Sequence, residues 1–100
     1  MLTLGVLCSG RLGLDTLSKI AKDHIIHFVL TDSNSIGIID FATMNSIPFY
    51  AGNPRGGKGY SFIKNFNFDV IASINYLFLI KEDIISHSNL LTFNIHGSLL

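Results

Sequence analysis

The sequence predicts an α/β fold, a Rossmann-like, doubly wound and mainly parallel sheet, and three observations predict it. Short apolar runs rich in Ile, Val, Leu and Phe alternate with stretches of helical spacing. Most of these runs stop at a cluster of Gly, Ser, Asn or Asp. No repeat, low-complexity tract or linker divides the 100 residues, a length that allows one domain at most. Alternation of this kind builds βαβ units, whose right-handed crossovers lay helices on both faces of a parallel sheet.

Each element follows from its residues. Leu2 to Cys8 is an apolar run ended by Ser9-Gly10, and reads as the first strand. Leu12 to Lys22 carries Leu14, Leu17, Ile20 and Ala21, the spacing of one helix face. Ile25 to Leu30 is a second strand, stopped by Asp32-Ser33-Asn34. Ile36 to Met44 reads as a helix weakened by Gly37, and Ile47 to Tyr50 as a short third strand. Ala51 to Gly59 holds four glycines and a proline and is expected to be a loop, followed by a short helix over Ser61 to Phe66. Val70 to Ile74 is a fourth strand, Lys81 to Ser86 a short helix, and Leu91 to Ile95 a fifth strand.

Composition narrows the function classes. Apolar residues make up 48% of the chain and charged residues 14%, against about 25% charged in an average domain. So low a charge content implies that part of the surface is covered, by further sequence or by a partner. Net charge is zero, which gives no electrostatic footprint for nucleic acid or an anionic membrane. Cys8 is the only cysteine, so no internal disulfide is expected, in keeping with a reducing compartment. Met1-Leu2-Thr3-Leu4 lacks a basic leader. Asn75, Lys81, Glu82 and Asp83 break the longest apolar stretches too soon to span a bilayer. A soluble cytoplasmic chain is expected.

In a doubly wound sheet, ligands bind beyond the carboxyl ends of the strands. The segments there are Ser9-Gly10-Arg11, Thr31-Asp32-Ser33, Asn75-Tyr76 and Asn94-Ile95-His96, all with polar side chains. Cys8-Ser9-Gly10-Arg11-Leu12-Gly13 is a dinucleotide fingerprint whose first glycine is replaced by cysteine, and Asp32 stands near the offset of a ribose-binding acid. A plain strand-to-helix turn, with Gly13 letting the helix pack closely, explains the same residues. Gly52-Asn53-Pro54-Arg55-Gly56-Gly57-Lys58-Gly59 matches a phosphate-loop pattern except that Gly59 replaces the last hydroxyl residue. A mobile surface loop is the simpler reading, although Arg55 and Lys58 suit an anionic ligand.

His24 and His27, three apart, would face opposite sides of a strand, which does not make a metal site. His87 is expected in solvent, Cys8 as a small packed residue, and Glu82-Asp83 as the acidic first turn of a helix. Asn94 and His96 are different. Two apart in an extended segment, they would project side by side from a strand tip. An amide donor beside an imidazole suits acyl transfer, one for the developing oxyanion and one for the attacking group's proton.

With Asn94-Ile95-His96-Gly97-Ser98-Leu99-Leu100, the chain resembles the N-terminal part of the formyltransferase family that uses 10-formyltetrahydrofolate, where Asn-x-His-Pro/Gly-Ser-Leu-Leu follows the fifth strand. Asp69 to Ile80 resembles the family's folate-pocket strand and loop, and Gly5 to Gly10 its first strand and turn. Gly97 in place of proline is more similar to the sugar-nucleotide N-formyltransferases than to the glycinamide ribonucleotide or methionyl-tRNA branches.

The resemblance implies formyl transfer from the folate to a primary amine, such as that of an amino-sugar nucleotide. It implies that His96 assists deprotonation of the amine or stabilises charge, and that Asn94 hydrogen-bonds the oxyanion. Tyr76, Leu77, Phe78 and Leu79 would cradle the pterin, and Ser9, Gly10 and Arg11 would face the amine substrate. The family completes its site with an aspartate further downstream, which no residue here matches. Residues 1–100 are therefore expected to be the N-terminal part of such a catalytic domain, cut after the fifth strand and inactive alone. Two other readings stay open: a non-catalytic nucleotide- or dinucleotide-binding module, and a piece that pairs its open sheet edge with a second copy.

Overall fold

In a computed structural model, which describes residues 2–79, 84 and 91–95, the chain forms β1 (Thr3–Cys8), α1 (Gly10–Asp23), β2 (Ile25–Thr31), α2 (Ile36–Met44), β3 (Phe49–Ala51), α3 (Lys58–Ile63), β4 (Val70–Ile74) and β5 (Leu91–Ile95). The strands make one sheet in the order β3-β2-β1-β4-β5, and every pairing is parallel. This is the α/β, Rossmann-like architecture that the alternation predicts. The order reverses direction between β1 and β4, so the crevice beyond Cys8 and Ile74 is the place where such sheets hold ligands.

Two cores flank the sheet. On one face Leu4, Val6 and Cys8 of β1, Val29 of β2, and Val70, Ala72 and Ile74 of β4 pack with Leu17 of α1 and Ile38 of α2. The alternate residues face the other way: Leu7, Phe28, Leu30 and Ile71 pack with Ile63 of α3, Phe68 and Ile84. That second core is aromatic. Phe28 meets Phe68 edge-on at 5.1 Å and Phe66 at 5.2 Å between ring centroids. The cause lies in the register. It slips by one residue between Leu4 and Gly5, so that His27 is the extra residue and Phe28 stands opposite Gly5. A side-chain carbon on Gly5 would overlap the Phe28 ring, so the absence of one makes room for it. At the other end of the strands, Thr3 and Asp69 clasp each other. Thr3 N donates to Asp69 Oδ2 at 3.2 Å, and Asp69 N donates to the Thr3 carbonyl at 2.8 Å.

Three elements begin two or more residues away from where they are expected. β3 begins at Phe49 and not Ile47, because Ile47 N closes the end of α2 on the Ala42 carbonyl at 2.8 Å and Pro48 has no N–H to pair. α3 covers Lys58–Ile63 instead of Ser61–Phe66. Gly57 turns the chain at φ +79°, and its carbonyl takes the Ser61 N–H at 2.8 Å, so the helix starts inside the glycine loop. α1 begins at Gly10, two residues early. His24 is also not in a strand: it caps the C-terminus of α1, and its Nδ1 accepts the Leu2 N–H at 3.1 Å. Of the helix expected over Lys81–Ser86, Ile84 is helical and buried, and the rest lies outside the described residues, as does His87. No helix among the described residues is long and apolar enough to cross a membrane.

Candidate functional site

Because all strands run the same way, Cys8, Thr31, Ala51, Ile74 and Ile95 end at one edge of the sheet. Two glycine-bearing turns and one loop rise from that edge. They are the β1–α1 turn at Ser9-Gly10, the β3–α3 loop at 52–57, and the loop after β4 at 75–79.

The β1–α1 turn is hydrogen-bonded on every side. Ser9 is only 6% exposed. Its carbonyl accepts the Gly13 N–H at 3.2 Å and the Asn75 side-chain amide at 3.3 Å. Its hydroxyl accepts the Leu77 N–H at 3.1 Å. Gly10 N donates to Ser35 Oγ at 3.0 Å, and that hydroxyl donates to Asp32 Oδ1 at 2.7 Å. The second Asp32 oxygen takes the Asn34 N–H at 3.0 Å. Burial opposes ionisation of Asp32, yet the Ser35 and Ser9 hydroxyls and the Asn34 N–H together hold its carboxyl below the usual value. Arg11 lies outside this network on the exposed face of α1, where its Nε meets Asp15 at 3.2 Å. Cys8 is fully buried beneath the turn, and burial, aided by the Asp32 charge, pushes its thiol up to about 12. It packs as an inert residue.

The other two segments enclose a cavity of about 610 Å³. Asn53, Pro54, Arg55, Gly56, Gly57 and Tyr60 form one wall, and Leu77, Phe78, Leu79 and Ile84 form the other. Gly59 keeps the first wall in place, since a side chain there would strike Pro54. Pro54 also accepts the Gly59 N–H at 3.0 Å. The second wall begins at Asn75, a non-glycine residue at φ +54° that turns the chain out of β4. Tyr76 points back into the aromatic core. Its ring meets Phe78 edge-on at 5.6 Å, and its hydroxyl is buried with no hydrogen-bond partner among the described residues. Burial raises its pKa, with the nearby Tyr50, Asp32 and Cys8 adding to the effect. Leu77 and Leu79 are left 64% and 84% exposed at the cavity rim, the form of a binding wall more than of a core.

Of the residues singled out from sequence, the structure therefore brings Leu77, Phe78 and Leu79 together with Arg55 in one cavity. Asn94 lies one residue from the end of β5, where its backbone pairs in register with Ser73 of β4. His96 lies outside the described residues, as do Gly97 to Leu100. Ser35, Tyr60 and Ile84 were not singled out. For Ser35 a signal existed: Asp32 and Ser35, three apart just before an apolar helical run, are side chains of the kind that bond at helix starts and turns. Among the described residues no group of three or more His, Cys, Asp or Glu could hold a metal.

No protein-family model matches the chain, and no curated protein matches it.

Proposed function

We propose that this chain supplies the donor-binding half of a site for N-formyl transfer from 10-formyltetrahydrofolate to a primary amine, such as that of an amino-sugar nucleotide. One observation carries the reading. Leu77, Phe78 and Leu79, the segment that resembles a folate-pocket loop, line a cavity at the ligand-binding edge of the sheet. Its volume of about 610 Å³ falls in the range of small-molecule sites. The apolar wall of Leu77, Phe78 and Leu79 suits a flat heterocycle, and Arg55 and Asn53 opposite suit the donor's carboxylates.

The donor supplies an activated formyl carbon, and the chain's part is to place and polarise it. The Asn94 amide would donate to the formyl oxygen as negative charge builds there, and His96 would take the proton that the amine sheds. β5 lies next to β4, and the loop after β4 forms the cavity wall, which favours a short path from the cavity to Asn94.

The competing reading, a dinucleotide module, has less support. The Gly10 N–H and the Asp32 carboxylate, the two groups it would use for phosphate and ribose, bond to the same Ser35 hydroxyl. Calorimetric titration separates the two readings. The chain is expected to bind 5-formyltetrahydrofolate more tightly than NAD, and the reverse order would sink the formyl-transfer reading.

A further inference from the structure

Ser9 stands where a helix cap belongs, but its side chain is used elsewhere. It is the N-cap residue of α1, with extended backbone at φ −144° and ψ 154°. A serine there ordinarily turns its hydroxyl to the N–H of the second or third helical residue. Here the hydroxyl makes no such bond to α1. It accepts the Leu77 N–H instead, at 3.1 Å and 68 positions further along the chain. We infer that Ser9 is a positioning residue for the cavity, its hydroxyl and carbonyl together holding the wall at 75–79.

Leu77 is the first cavity-lining residue after β4, so the hydroxyl bond falls at the root of the wall. A second tie runs beside it, where the Asn75 side-chain amide donates to the Ser9 carbonyl at 3.3 Å. The two bonds clasp the loop on either side of Tyr76, whose hydroxyl is buried with no partner among the described residues. The segment needs such a hold. It opens on Asn75 at φ +54° and leaves Leu77 and Leu79 exposed, so burial does little to fix its course. Ser9 is a firm post by comparison. It is only 6% exposed, and its carbonyl takes the Gly13 N–H at 3.2 Å, which ties it into the first turn of α1. Its backbone starts the helix, and its hydroxyl serves the cavity.

That the wall receives a folate rests on the proposed function; that Ser9 sets the wall does not. The test is therefore read first without ligand, by hydrogen exchange at single amides. In Ser9→Ala the Leu77 amide is expected to exchange about tenfold faster relative to the core amides of Val6 and Ala72. The Arg11 and Leu12 amides, which a capping hydroxyl would protect, are expected not to change. Ser9→Thr keeps the hydroxyl and is expected to keep Leu77 protected. If Ser9→Ala does not fold, Asn75→Asp takes its place. Aspartate tolerates the left-handed backbone but cannot donate to the Ser9 carbonyl, and about threefold faster exchange at Leu77 is expected. Unchanged relative exchange at Leu77 in the folded variant overturns the inference. So does a rise of the same size at Val6 and Ala72, or a larger one at Arg11 and Leu12, which would make Ser9 an ordinary cap. Calorimetry then reads the effect on the site. Ser9→Ala is expected to bind 5-formyltetrahydrofolate about fivefold more weakly, since a loosened wall must be ordered on binding. Undiminished affinity would overturn the positioning role. If the wild type fails to bind this folate, the formyl-transfer reading falls and the exchange result alone decides.

Discussion

Two glycine-bearing turns leave the same edge of the sheet, and they have opposite characters. The β1–α1 turn is closed: the Ser9 carbonyl and hydroxyl and the Gly10 N–H meet partners inside the protein, and Gly13 brings α1 down onto Cys8. The β3–α3 loop is open. Among the described residues nothing stands within 4 Å of where side chains on Gly56 or Gly57 would begin, and both residues border the cavity. Both turns come close to nucleotide-binding patterns in sequence, yet one serves as a structural joint and the other as a rim. A glycine pattern signals a tight or unusual backbone; what that backbone faces depends on which other loop arrives beside it.

Substitutions can break this contrast or sharpen it, and the largest effect is expected at the joint. A Cβ on Gly13 would sit 3.0 Å from the Cys8 Cβ and 3.3 Å from its carbonyl carbon. Gly13→Val adds that Cβ and two further methyl groups against a strand end that cannot yield. A loss of about 3 kcal/mol is expected in urea unfolding, and a loss below about 1 kcal/mol would show that α1 can lift off the sheet.

Next comes the charge that closes the joint. The Asp32 carboxyl is held below its ordinary value of 3.8, so the folded state favours the ionised form. Its contribution is full above the unfolded pKa and is lost as pH falls from about 3.8 through the lower folded value. Asp32→Asn is expected to be about 2 kcal/mol less stable than wild type at pH 7, and the gap should narrow as pH drops below 3.8. Paired unfolding curves along a pH series measure it, and a constant gap would mean that the hydrogen bonds do not favour the charge.

The smallest effect belongs to the rim. Gly56→Ala meets no atoms, and its only penalty is the left-handed backbone at φ +66°. About 1 kcal/mol is expected, again from urea unfolding. A much larger loss would show that the loop is as closed as its counterpart.

Much of the architecture was legible in the sequence because it depends on local patterns. The helix over Ile36–Met44 and the strands at Val70–Ile74 and Leu91–Ile95 fall where apolar runs and their flanking residues put them. Errors arose where one residue decides a boundary, as with Pro48 before β3 and the left-handed Gly57 before α3. The site was legible only in pieces. Leu77 to Leu79 and Arg55 could each be named, but that they share one cavity follows from two loops meeting across the sheet order. Asp32 reads as a ribose acid in sequence. Its bond to Ser35, and through that hydroxyl to the Gly10 N–H, depends on β1 and β2 being neighbours, which no short motif encodes.

The clasp between Thr3 and Asp69 bears on how the molecule comes to exist at all. The two residues are 66 positions apart, yet each bonds the other at the foot of adjoining strands. The central strand can acquire one neighbour early, from β2, but its second must await a chain segment some 60 residues further on. Closing so large a loop is entropically unfavourable until the contacts on both sides form together. During synthesis, β1 therefore stands with one flank bare while the intervening chain is made, and Asp69 marks the moment when it can be covered.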